Sequence, residues 1–582
     1  MSLDDQDIGT VELDALEVPG LAGAIQQKFI EAEEGRYSEE IRWLKAYKNY
    51  RGIADSTTSS SSSEKSKVFI KITKVKVLAA FGQIIDILFS NNKFPITVSS
   101  TPVPEGIAEF AHIPSPEEQQ LSQDIGNTSL HDLGYDGENM DDFLAGLKEK
   151  YLGSTLIEGK SVFDTAQISP SQEAARNLEK QIHDQLMNTN AMTVLRHSIF
   201  ECCLLGTGII KGPFNFTKTI HSWKKENDEK TYEPYEKSIP KIEAVSCWDF
   251  YPDPTAVSLD DAEYVIQRHR YNREQLRNLI NRPHFDKESI EEVLSETPNY
   301  EVKSFESEIH SKDDSHLFID KRYEILEYWG MLDAALAREF GLDVPHSISD
   351  LDSVQINAWI AGNTVIRLVL NPFLPARIPF YAFPYELNPY QLFGIGVAEN
   401  MEDSQILMNG HMRMAIDNLA LAGNMVFDID ETQLVPGQSM SIYPGKIFRR
   451  QSGQTGTAVN GIKFPSTAPE NLQMFDTARR LADEQTGIPS VSHGQTGVTG
   501  TGRTAAGLSM LLNSAGLSIK TVIKNIDDFL LKPLGESLFQ WNMQFNDDNA
   551  EIVGDLEIKP KGTAAIMQKE VRSQRLTTLL QT

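Results

Sequence analysis

Cysteine is almost missing from this sequence: Cys202 and Cys203 are adjacent, and Cys247 stands alone. Three such positions give neither a disulfide framework nor a CxxC zinc spacing, and they are expected as buried free thiols in a reducing compartment. Long hydrophobic runs are missing too. The most apolar stretch, Val77 to Phe89, falls short of the roughly 20 residues that cross a bilayer and carries Asp86. The N-terminus "MSLDDQDIG" has no basic region followed by an apolar one, so no signal peptide is predicted. Basic residues are scarce relative to acidic ones: 54 against 82, a formal charge of −28. Such a surface does not grip nucleic acid by neutralising phosphates, which takes clustered Lys and Arg. It remains compatible with DNA that must pass without sticking. At 582 residues, 40% hydrophobic and 23% charged, the chain reads as a soluble globular protein of roughly three to five domains.

Periodicity organises what is present. Residues 20–52 carry apolar positions at helical intervals (Ile25, Phe29, Ile41, Leu44, Tyr47), with Gly35 expected to interrupt the helix. A serine-rich loop, 56–67, precedes a second, more apolar helix at 68–90. "FPITVSS" reads as a strand, 101–140 as a polar excursion, and helices are predicted at 141–151, 170–188 and 191–205. Short alternating or β-branched runs then indicate β-structure with interspersed helices over 206–375. From 395 a Pro-free stretch of about 28 residues predicts one long helix of roughly 40 Å. Its apolar stripe is Val397, Met401, Met408, Met412, Ala415 and Leu419. A turn-rich β insert (425–465) follows, then a helix opened by a capping box at Thr467 and Glu470 and ended by Gly487 and Pro489. A Gly- and Thr-rich loop (489–503), a helix near 504–515, a long helix 517–545 kinked at Pro533, a strand near 551–559 and a last amphipathic helix complete the chain.

The run "GVTGTGRT" (Gly497–Thr504) has the outline of a phosphate-binding P-loop. Its context is wrong. A charged helix precedes it rather than a buried strand, Arg503 replaces the Lys, and no apolar strand ending in Asp follows to hold magnesium. A flexible loop between helices, kept supple by Gly497, Gly500 and Gly502, is the better reading. "HSKDDSH" (His310–His316) contains possible metal ligands without a metal-site spacing. "DLGYDGENMDD" (Asp132–Asp142) has Gly134 and Phe143 where a calcium loop needs oxygen ligands. There is no GxSxG or HExxH motif, so no catalytic site, metal or cofactor is predicted.

In "CWDFYPDPTAVSLDDAEYVIQRHRY" (Cys247–Tyr271), aromatics alternate with acids and prolines, which reads as a strand, a rigid turn and another strand. This segment resembles the portal proteins of tailed bacteriophages, the short-tailed type in particular. The resemblance continues through Pro375–Leu421 and Thr477–Ala515 and covers about 200–582, more loosely the N-terminal helices. It implies a mixed α+β, predominantly α, portal-type fold, in a ring of about twelve subunits around a channel for double-stranded DNA. By analogy 1–394 is the wing, 395–424 and 467–488 are two stem helices, and 425–466 is the clip. The tunnel loop is then 489–503, helices 504–545 return to the wing, and 546–582 lead into a crown. That crown is short or truncated, truncation being the expectation because the last helix stops mid-pattern.

The resemblance also assigns roles. An acidic ring repels the duplex and keeps it centred. The tunnel-loop residues expected to face DNA are His493, Gln495, Thr496, Thr499, Thr501 and Arg503. At the clip, Asp428, Asp430, Glu431, Lys446, Arg449 and Arg450 are expected to contact the terminase large subunit and later a head-completion or tail adaptor protein. Major capsid and scaffolding proteins are further implied partners, with assembly in the host cytoplasm, residence at a virion capsid vertex and no membrane. The alternatives are a nucleotide-binding enzyme using 497–504 and another virion connector or adaptor.

Overall fold

The structure, a computed structural model, describes residues 20–53, 65–89, 94–100, 170–221, 223–226, 229–310, 322–424, 426–451, 453, 457–489, 518–545 and 556–560. The mixed α and β character read from the sequence is what it shows.

The first helix, α1 (Leu21–Arg51), is continuous. Gly35 does not interrupt it. A Cβ at that position would stand 2.6 Å from the Pro254 Cβ, so the glycine is there to let the 247–254 segment approach. The next residue, Arg36, is buried and secures the same segment. Its Nη1 donates to the carbonyls of Cys247 (2.8 Å) and Phe250 (2.6 Å), and its Nη2 donates to Trp248 O (3.1 Å) and Glu40 Oε1 (2.6 Å). The guanidinium lies 3.7 Å from the centroid of the Tyr251 ring. The aromatic segment thus has the packed role expected of it, with Phe250 and Tyr251 fully buried.

After α2 (Ile72–Phe89) and β1 (Ile96–Ser100) come α3 (Pro170–Asn188) and α4 (Ala191–Leu205). Then β-structure dominates: β2 (Thr207–Ile220), β3 (Trp223–Glu226), β4 (Glu229–Tyr232), β5 (Tyr235–Val245), β6 (Phe250–Pro252) and β7 (Tyr264–Tyr271). The helices α5 (Arg273–Asn278), α6 (Lys287–Ser295) and α7 (Ser304–His310) separate these from β8 (Tyr323–Asp333). The short α8 (Ala334–Glu339), then β9 (Ser353–Ala361), β10 (Thr364–Leu370) and β11 (Phe380–Pro384) follow. Strands β10-β9-β8-β7-β6 form an antiparallel five-stranded sheet, and β11-β2-β5 a three-stranded one. Helix α1 joins two cores. Its first half (Ile25, Phe29) packs on the five-stranded sheet, while Trp43 and Ala46 belong to the larger core of α2–α4, the three-stranded sheet and the helical segment 518–545.

Beyond the long helices described below, residues 518–526 are helical and pass into a π-turn at Asp527–Leu531 before α12 (Lys532–Phe545). The irregularity predicted at Pro533 therefore lies just before it. Proline cannot donate to a carbonyl one turn back, and the wider i→i+5 turn accommodates the missing bond. The last described strand, β14 (Leu556–Pro560), pairs antiparallel with β1, clamping two distant parts of the chain together. All three cysteines are free and buried, as expected. Among the described residues no helix is long and apolar enough to cross a membrane, and no cluster of three potential metal ligands occurs. The proposed helices at 141–151 and 504–515, the C-terminal helix, and the segments 132–142 and 311–316 lie outside the described residues.

Candidate functional site, a helical hairpin with a charged β tip

The long helix predicted from 395 is two helices. A four-residue turn, α9 (Val397–Asn400), leads into α10 (Glu402–Gly423), with the break at Met401, whose φ of −112° and ψ of 13° leave the helical region. The break has a packing reason: Met401 is fully buried in the seam with Met408, Ala478 and Ala482. The returning helix α11 (Ala468–Thr486) runs antiparallel to α10. Ser404 Oγ donates to Gln485 Oε1 (2.6 Å), His411 meets Asn471 (3.1 Å), and Thr467 N donates to Asn418 Oδ1 (2.8 Å). The capping box predicted at Thr467 does not form. Thr467 has φ −103° and ψ 10°, its side chain caps nothing, and Asn418 of the facing helix orders the entry instead. The far end is as read: Gly487 adopts the left-handed conformation (φ 64°) that a β-carbon would disfavour.

The base of this hairpin is bound to the N-terminal helices by polar contacts that the sequence did not disclose. Arg42 makes a two-pronged pair with Glu399, at 3.0 and 2.8 Å. Residues 65–73 run along α10: the amides of Lys65 and Ser66 donate to Asp417, that of Ile70 to Asn409, and that of Thr73 to Gln405. Gln405 and Asn409 are buried, one turn apart, on the same flank as Met401 and Met408. Polar amides inside an apolar register were the available signal, since such groups are buried only with partners.

At the tip, β12 (Val426–Ile429) and β13 (Val459–Ile462) form a two-stranded ladder, extended by a bridge between Leu434 and Arg450. All six charged residues singled out in this insert are therefore brought into one module. Asp428 lies on β12. Asp430 caps the turn Glu431–Gln433, accepting from Thr432 N (3.0 Å) and Thr432 Oγ1 (2.6 Å), and these bonds hold its carboxyl below the usual range. Lys446 donates to Ser439 O (2.7 Å) and sits over Tyr443 and Phe448. Arg449 pairs its backbone with Gln438 and Val435, and Arg450 Nη2 reaches Gln433 Oε1 at 3.3 Å. Lys446 is half-buried and the other five are exposed. The module has almost no interior: Leu434 and Ala458 are buried, while Ile447 is 80% exposed and Tyr443 58%. His493, Gln495, Thr496, Thr499, Thr501 and Arg503 all lie outside the described residues.

The sequence matches the family described as Phage SU10 portal protein over residues 165–559, from the approach to α3 to the last strand. This chain belongs to the phage portal protein family. A portal protein is a component of the virion's capsid vertex, an oligomeric ring that forms the channel through which DNA is packaged and ejected. The nucleotide-enzyme reading of 497–504 is not favoured, since portal proteins are structural. The matched region begins ahead of the segment whose residues first suggested the family. It leaves out α1, which supplies Arg36 and Arg42, and residues 65–73, which strap α10.

Proposed function

We propose that α10 and α11 are the stem of the portal, with the clip at 425–466 and the tunnel loop at 489–503. The wing is 1–394, the two stem helices span 395–424 and 467–488, helices 504–545 return to the wing, and 546–582 lead into the crown. The observation that carries this reading is the apolar surface the hairpin leaves uncovered. Leu407, Leu419, Leu421, Leu472, Met474 and Leu481 are each more than two-fifths exposed on helices of a strongly acidic chain. A ring of identical copies, twelve by the family analogy, buries these flanks between neighbouring stems and encloses the nearly coreless tip.

In that ring the clip is the docking surface for the terminase large subunit and then for a tail adaptor, through Asp428, Asp430, Glu431, Lys446, Arg449 and Arg450. The loop carrying His493, Gln495, Thr496, Thr499, Thr501 and Arg503 faces the passing duplex, and ATP hydrolysis belongs to the terminase. Negative-stain electron microscopy of the purified protein tests the assembly: rings with a central hole are expected. The double substitution Leu419→Glu, Leu472→Glu is expected to yield free subunits that melt as the wild-type subunit does. Intact rings from that variant would refute the stem assignment. Packaging and genome retention unaffected by Arg503→Glu would refute the loop.

A further inference from the structure

Away from the stem, a cleft of about 790 Å³ lies between the three-stranded sheet and one face of the five-stranded sheet. Its walls are aromatic. Trp329 stacks with Phe373 at 6.4 Å, and Trp359 stacks on His269 at 5.0 Å with Phe285 edge-on at 5.3 Å. Its floor is Glu327, fully enclosed and fully used. Oε2 accepts from Lys211 and from His269 (2.8 Å), and Oε1 accepts from Trp329 Nε1 (2.8 Å). The second carboxylate lining the cleft, Glu243, pairs with Lys241 at 3.0 Å.

Four Lys and Arg residues line the cleft against two carboxylates, so these pairings leave two cations, Arg282 and Arg367. Arg367 lies over Phe285, its guanidinium carbon 5.2 Å from the ring centroid. Its Nε is buried and, among the described residues, has no acceptor; the same is true of the Trp359 indole N–H. Burial depresses the Arg367 pKa; Glu327 offsets part of that, and the charge of Arg282 adds a smaller lowering. Two cations on the wall of one cleft, with buried donors unmet and flat apolar rings beside them, lack one thing: an anion. A cleft of this size suits a small organic ligand, and a guanidinium fork matches the geometry of a carboxylate or phosphate.

We propose that this cleft binds an aromatic anion, its carboxylate or phosphate held by Arg282 and Arg367 and its ring stacked among Trp329, Trp359 and Phe285. The ligand is either a free small molecule or the C-terminal aromatic residue of a protein. Nothing in the channel role requires such a site, and it does not depend on the stem and clip assignments.

The test uses the full chain and N-acetyl-L-phenylalanine, with its uncharged amide as the control, read by quenching of tryptophan emission. Saturable binding of the acid is expected, with the amide weaker by about tenfold or more, the worth of one charge-assisted contact. Arg282→Gln, on an exposed side chain, is expected to lose about the same factor with an unchanged melting temperature, and Arg367→Gln to do likewise. Equal binding of acid and amide, no loss with Arg282→Gln, or no saturable binding of the acid overturns the proposal. A peptide ending in a free C-terminal Phe separates the sources. Tighter binding than the free acid identifies a protein terminus, and equal or weaker binding identifies a small molecule.

Discussion

Lys76 of the second N-terminal helix donates to Asp483 Oδ1 at 2.5 Å, and the same buried ammonium donates to the carbonyl of Ile488. One side chain therefore holds the last turn of α11 and the residue just beyond its glycine cap. Burial depresses the Lys76 pKa, partly offset by Asp483. A cation at a helix C-terminus also meets the negative end of the helix dipole.

Replacing it with an apolar side chain of similar length should therefore loosen that end. Lys76→Met is expected to cost about 1–3 kcal/mol, because a carboxylate and a carbonyl lose a charged donor. Thermal melting gives the magnitude. Hydrogen exchange should show the loss of protection centred on the end of α11, and uniform loss across the chain would argue against a local clamp.

Gly35→Ala offers a test in which two effects oppose each other. Helix propensity alone favours alanine by about 1 kcal/mol. The new Cβ, however, would stand 2.6 Å from the Pro254 ring, which is rigid. The expected outcome is a lower melting temperature. Adding Pro254→Gly, which removes that Cβ, should recover part of the loss, whereas additive losses would mean that the close approach is not the cause.

Arg36 is expected to tolerate no substitution, lysine included. A lysine has no planar fork to serve the carbonyls of Cys247, Trp248 and Phe250 together with Glu40. Arg36→Lys should cost about 2–4 kcal/mol in chemical denaturation, as several buried acceptors go unsatisfied.

Glu201 predicts a pH signature. Burial pushes its carboxyl from 4.5 up to about 7, against the lowering effect of the Ser246 hydroxyl, 2.5 Å from Oε1, and the Cys247 amide. Its other oxygen is buried with no partner among the described residues. Since the folded value is the higher one, the folded state binds more protons between about 4.5 and 7, and this group's contribution falls as pH rises through that window. Glu201→Gln should flatten that fall. Melting temperatures compared at pH 5 and pH 8 should favour the variant more at pH 8, and an equal difference at both would count against a raised value.

Much of the fold was legible in local sequence. Helices at 170–188 and 191–205, the β-rich region after 206, the strand at 96–100 and the hairpin of long helices all follow from periodicity and from Gly and Pro punctuation. These are short-range effects, since an apolar stripe or a positive-φ glycine acts within a few residues. The six charged residues of the tip were legible for the same reason, as one insert bounded by two helices.

The failures came where distant residues competed with local preference. Gly35 reads as a helix breaker until Pro254 is seen against it, and Met401 reads as one more residue of a helix until its burial in the seam between α10 and α11 breaks that helix. Thr467 has the sequence of a capping box, but Asn418 supplies the bond. The sequence by itself determined which segments are helix or strand, the acidic surface and the family. Tertiary structure alone decided that 65–73 straps α10, that Lys76 pins the end of α11, and that β1 pairs with β14. Those contacts join residues hundreds of positions apart, and a hydrogen bond or a close approach depends on the distance between atoms, which no pattern within a window of the chain contains.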